Sequence, residues 1–135
     1  MFIRKYQSHD KDSLIALWEE VFPNAAPHNQ PAKVIAEKLV VDDLIFVAEK
    51  DDKILGACQA GYDGHRGWLY GVAVSPAQQR QGIGTELVKA ALKALQERGC
   101  GKVNLQIRAG NYAVAAFYET LGFEVEDRIS MGRLL

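Results

Sequence analysis

The chain has 135 residues, 48% of them hydrophobic and 24% charged, with a formal net charge of -1. That length fits one domain spanning residues 1–135 with a real core. The charge balance offers no basic excess for nucleic acid, and no apolar run approaches the roughly 20 residues of a membrane span, so neither partner is expected. The first residues, Met1 to Tyr6, have no signal-peptide hydrophobic region, and Cys58 and Cys100 suit neither a disulfide scaffold nor a metal site, so the expected compartment is a reducing cytoplasm.

Residues 2–6 alternate apolar and polar, as a half-buried first strand would. Ser8, His9 and Asp10 offer cap residues, and Leu14, Ile15, Leu17, Trp18, Val21 and Phe22 follow at helical spacing up to Pro23. Residues 24–31, with Pro27 and Pro31, read as a surface loop of the kind that shapes pockets. A second helix is expected over 32–41. Strands over 44–49 and 53–62, joined at Asp51-Asp52, form a hairpin, and a third strand over 68–74 follows the tight connection from Asp63 to Gly67.

Pro76 cannot extend a ladder, so the third strand stops there. A polar loop bearing Gly82 and Gly84 leads into a helix over 81–98, with Ile83, Leu87, Val88, Ala91, Leu92 and Leu95 on one face and Gly99 past its end. Residues 102–108 alternate as a strand through Val103, Leu105 and Ile107. Asn111 can cap a last helix carrying Val114, Phe117, Tyr118 and Leu121; Gly122 suits the left-handed position after it, and Phe123 can pack back over the final turn. The tail, 123–135, is expected to add one more strand. The order β-α-α-β-β-β-α-β-α-β implies an α+β fold, a mixed, mostly antiparallel sheet flanked by helices. The helix at 81–98 is a crossover that makes the strands at 68–74 and 102–108 parallel neighbours.

The segment from Val72 to Glu86 is the chemically informative one. A strand end, a loop with two glycines and a helix N-terminus offer unpaired N–H groups and a positive dipole end, which together suit a phosphate. It is neither a dinucleotide fingerprint nor a Walker loop, since a third glycine and a lysine after Gly84 are both missing.

Gln79, Gly82 and Gly84 fill the pattern Gln/Arg-x-x-Gly-x-Gly/Ala, and Asn111 precedes Phe117-Tyr118-Glu119-Thr120-Leu121-Gly122-Phe123. These two features, with the strand order, resemble the GNAT superfamily of N-acetyltransferases over nearly the whole chain. The stretch from Gly61 to Gly67 is similar to the bacterial YpeA-type subgroup. The resemblance implies acetyl-coenzyme A as acyl donor, bound where the strands at 68–74 and 102–108 splay apart. It implies backbone pairing of the pantetheine arm along Val72, Ala73 and Val74. The pyrophosphate would lie among Gln79, Arg80, Gln81, Gly82, Ile83, Gly84 and Thr85, with Asn111 and Tyr118 also near the cofactor.

Attack of an amine on a thioester needs a neutral amine, a donor for the developing oxyanion and a proton for the departing thiolate. The resemblance places the oxyanion donor at the Val72 backbone N–H and gives the proton-donor role to Tyr118, since a free phenol, with a pKa of about 10, is mostly protonated at neutral pH. The bland alternatives are a core aromatic for Tyr118 and a helix cap for Asn111.

Where relatives place a base, this chain has Trp68 and Tyr70, candidates instead for lining the acceptor pocket. Asp63 and His65 read first as turn residues, Glu19, Glu20 and Glu37 are not oriented by the sequence, and a water-mediated base fits equally well. The histidines form no metal pattern, so no metal is expected, and neither cysteine stands out as a nucleophile. The expected activity is direct acetyl transfer in a ternary complex to an amine of a small molecule or peptide. Its rivals are a non-catalytic coenzyme A sensor and a transferase of longer acyl groups. A homodimer is an arrangement that the resemblance leaves open.

Overall fold

The computed structural model describes residues 1–135, which form two compact units, Met1–Leu105 and Gln106–Leu135. The first holds β1 (Phe2–Lys5), α1 (Lys11–Val21), α2 (Pro31–Val41), β2 (Ile45–Lys50), β3 (Lys53–Tyr62), β4 (Gly67–Val74), α3 (Ile83–Glu97) and β5 (Val103–Asn104). The five strands lie in the order β1-β2-β3-β4-β5, antiparallel except for the parallel β4–β5 pair. This is the expected α+β fold with a mixed, mostly antiparallel sheet. No helix is long and apolar enough to cross a membrane.

Strand alternation sorts the side chains of this unit between two faces. Ile45, Val47, Ala57 and Ala73 join Leu14, Leu17 and Trp18 of α1 and Ile35 of α2 in one buried cluster. Gly56, one residue before Ala57, faces the other way: a Cβ there would come within 2.9 Å of Leu87 and 3.1 Å of Ile83 on α3. α3 therefore covers the face opposite α1 and α2, with Ile83, Leu87, Val88, Ala91 and Leu95 buried. The hairpin between β2 and β3 turns through Asp51 and Asp52, both left-handed (φ 52° and 61°), as a two-residue hairpin turn requires and as aspartate tolerates.

The second unit contains α4 (Tyr112–Glu119). Its end is built as the sequence predicts. Gly122 is left-handed at φ 90°, the Phe123 N–H reaches the Tyr118 carbonyl at 3.1 Å, and the Phe123 ring meets Tyr118 edge to face at 5.6 Å.

Two expectations need correction. The tail forms no strand. The Phe123 N–H is spent on the helix end, and the Arg128 N–H turns back to the Glu126 carbonyl at 3.0 Å, so donors that a ladder would need are used locally. Val125, Ile129 and Met131, apolar residues of that tail, are exposed. The strand expected over 102–108 shrinks to Val103–Asn104, because its pairing with β4 stops at Trp68↔Asn104 and a short edge strand has no other neighbour to hold it.

The start of α1 is tied to the sheet by charge. The Arg4 guanidinium on β1 forks onto Asp10 at 2.7 and 2.8 Å and reaches Glu49 on β2 at 2.9 Å, while Asp10 also accepts the Gln7 N–H at 2.8 Å. Asp10 is 3% exposed, and Arg4 holds its carboxyl below the usual carboxylate range despite that burial. A lowered folded-state pKa contributes stability above the unfolded value, near 3.9, and that contribution is lost as pH falls through the folded value. Asp10→Asn is therefore expected to cost about 1.5–3 kcal/mol at pH 7. In urea titrations across pH, the gap to wild type should close below roughly pH 4. A gap independent of pH would contradict this assignment.

Candidate active site

The site begins where β4 stops being a regular strand. Gln59 pairs with Tyr70 and Ala57 with Ala73, so Cys58 alone faces both Gly71 and Val72. This is a β-bulge, with Gly71 left-handed at φ 55°, a conformation open to glycine. The Trp18 indole Nε1 of α1 donates to the Gly71 carbonyl at 2.8 Å, and a Cβ on Gly71 would lie 3.2 Å from three atoms of that ring. On its other edge β4 pairs with β5 only at Gly67 and Trp68, so Leu69 to Val74 continue with no strand partner on that side.

β4 ends as the Ser75 N–H returns to the Leu55 carbonyl at 2.8 Å, and Pro76–Gln78 forms a short turn. Arg80 and Gly82 are both left-handed (φ 66° and 81°), and Gly82 is the N-cap of α3 with no side chain capping the helix. The left-handed Gly82 moves the helix start from the expected 81 to Ile83. The Glu86 N–H bonds the Gly82 carbonyl at 3.1 Å, so the N–H groups of Ile83, Gly84 and Thr85 precede the first helical bond. A Cβ on Gly82 would meet nothing within 4 Å, so that side of the loop is open. Ile83 and Leu87 anchor the helix start over Gly56. The result is a fixed row of N–H donors at a positive helix end, able to hold an anion.

Val72, Ala73 and Val74 thus sit together with Gln79, Arg80, Gln81, Gly82, Ile83, Gly84 and Thr85 in the first unit. In the second, Asn111 is the N-cap of α4 and Tyr118 lies near the helix's other end. Asn111 is a cap, its side-chain oxygen accepting from the Val114 N–H at 3.4 Å. Tyr118 is 7% exposed, with Phe117 and Phe123 edge to face at 4.9 and 5.6 Å. Trp68 is partly buried and Tyr70 half exposed on β4.

The candidate bases fare poorly. Asp63 Oδ1 accepts from the His65 and Arg66 N–H groups at 2.8 and 2.7 Å, a turn role that also lowers its pKa. Burial, with a smaller push from Asp63, raises the Tyr70 phenol. Glu37 pairs with Lys33 at 3.7 Å, and Glu20 lines an open cleft with Ser13, Asp52, Lys53 and Ser75 beside the end of β4. Burial pushes the Cys58 thiol up to about 12, so it is no nucleophile near neutrality. No group of three or more His, Cys, Asp or Glu side chains converges.

The profile of the Acetyltransferase (GNAT) family matches residues 11–123. The chain belongs to this family. A protein named acetyltransferase from Pectobacterium atrosepticum is 40% identical over 136 residues, covering 100% of this chain and 96% of the relative. Among solved structures, the ribosomal-protein-S18-alanine N-acetyltransferase from Escherichia coli superposes with a TM-score of 0.79 at 25% identity, covering 91% of this chain and 77% of that one. An N-acetyltransferase from Thermoplasma acidophilum, in complex with coenzyme A, shares the fold with a TM-score of 0.81 at 21% identity over 95% and 92% of the two chains. As a GNAT member the protein is an acetyl-coenzyme A-dependent N-acetyltransferase. For such an enzyme, two residues stand out that motif reading passes over, Trp18 and Gly71. A glycine inside a strand was the available signal, since it marks a bulge or a close backbone approach.

Proposed function

We propose that residues 1–135 work as one cytoplasmic N-acetyltransferase domain in which the amine attacks the bound thioester directly, in a ternary complex. The observation that carries this is the donor row after β4, with left-handed Arg80 and Gly82 ahead of uncapped helix N–H groups. It supports a pyrophosphate among Gln79, Arg80, Gln81, Gly82, Ile83, Gly84 and Thr85. The unpartnered stretch of β4 supports pantetheine pairing along Val72, Ala73 and Val74.

In this reading the neutral amine adds to the thioester carbonyl, and the Val72 N–H takes up the oxyanion. The C–S bond then breaks, and the departing thiolate accepts the Tyr118 phenolic proton, which solvent restores. The amine proton leaves to water, because Asp63 is engaged in its turn and the Tyr70 phenol is raised. Asn111 caps α4 and borders the cofactor, and Trp68 and Tyr70 line the acceptor side. The acceptor is an amine of a small molecule or a peptide. Proteins of this fold include an S18-alanine N-acetyltransferase and an aminoglycoside N-acetyltransferase, so the fold serves both. Nucleic acid and membrane play no part in this reading, and a homodimer is compatible with it.

Gly82→Glu places a carboxylate against the pyrophosphate at a left-handed position. Calorimetry is expected to show at least about tenfold weaker acetyl-coenzyme A binding, ~1.4 kcal/mol. Unchanged affinity would remove the loop from the site. Tyr118→Phe is expected to lower kcat by about 100-fold with cofactor affinity retained, at the lower end for loss of a general acid. Equal turnover on a panel of amines would return Tyr118 to a packing role, and tight binding without turnover by wild type would favour a sensor.

A further inference from the structure

We propose that Trp18 is a positioning residue for acetyl transfer: by holding the Gly71 carbonyl it aims and polarises the Val72 N–H. The inference rests on the reading that this N–H is the oxyanion donor. The Gly71 carbonyl and the Val72 N–H belong to one peptide unit, which is planar and trans, so the two groups point in opposite directions. Trp18 Nε1 holds the carbonyl toward α1 at 2.8 Å. The N–H is therefore turned away from α1, and it cannot rotate without breaking that bond.

The surroundings restrain the peptide. Gly71 is left-handed, Val72 has no Cα partner on β3, and the ring of Trp18 packs on Gly71 so closely that a Cβ there would press on it at 3.2 Å. Trp18 is 4% exposed among Leu14, Leu17 and Ile35, so the indole is itself fixed. A buried indole N–H needs some acceptor, and any carbonyl would satisfy that need. Here the acceptor is the carbonyl of the one peptide that the bulge has taken out of register. Donation to a carbonyl also polarises its own peptide, making the attached N–H a stronger donor. The bond thus acts on an oxyanion that the indole does not touch.

The test is the infrared carbonyl band of acetyl-coenzyme A carrying a carbon-13 label at the acetyl carbonyl, bound to wild type and to Trp18→Phe without acceptor. Wild type should hold the band below its frequency in water, and Trp18→Phe should return it toward the free value. With that shift kcat should fall about three- to tenfold, less than the ~10²–10³ of losing an oxyanion donor outright. Affinity for coenzyme A, which has no acetyl carbonyl, should be unchanged. A band shifted equally in both proteins overturns the role of Trp18 while leaving the Val72 donor in place. A wild-type band that is not shifted overturns the donor reading, and this inference with it. If Trp18→Phe does not fold, the same comparison uses 3-benzothienylalanine at position 18, which keeps the bicyclic shape and lacks the N–H.

Discussion

Much of the site depends on one constraint at the end of β4: the strand must stay in the sheet on one edge while giving up regular pairing on the other. The bulge at Gly71 and Val72, on the edge kept with β3, bends the strand just beyond its last pair with β5 at Trp68. Opposite Cys58 the strand gains a residue, bends, and re-enters register at Ala73. The bend is possible because Gly71 is left-handed, and it is locked because Trp18 fills the space beside Gly71 and takes its carbonyl. Bulk alone on α1 would pack the core here; the indole N–H adds a fixed direction.

The loop beyond depends on the opposite face. α3 lies close enough to the sheet that a Cβ at Gly56 would also press to 2.9 Å from the Ala73 carbonyl. Ile83 and Leu87, in the first turns of the helix, occupy that space, so the packing that buries the helix also fixes its N-terminus. The donor row is thus preorganised by contacts made mostly through apolar side chains and backbone. Charge works at a distance from it: the Arg4–Asp10–Glu49 network ties α1, and with it Trp18, to β1 and β2.

Periodicity and punctuation made most elements legible. β3 was expected over 53–62 and is Lys53–Tyr62, and the cap at Asn111 and the left-handed Gly122 follow from residue type and place. The loop with Gly82 and Gly84 was readable because backbone-mediated anion binding restricts which residues fit. The bulge had one signal, Gly71 inside a run of strand formers, but nothing local says that Trp18, 53 residues away, will meet its carbonyl. The tail misled for a related reason. A strand was expected over 123–135, but a strand exists only where a partner offers a ladder, and the bonds from the Phe123 and Arg128 N–H groups spend donors locally first.

The central claim is that the acyl donor lies along the end of β4 and over the start of α3. Titration of the nitrogen-15-labelled protein with coenzyme A, followed through its backbone amide resonances, tests this most directly. The account predicts that the amides of Val72 to Val74 and Arg80 to Thr85 shift most, while those of β1 and β2 stay in place. Saturable binding that leaves the amides from Arg80 to Thr85 unmoved would contradict it.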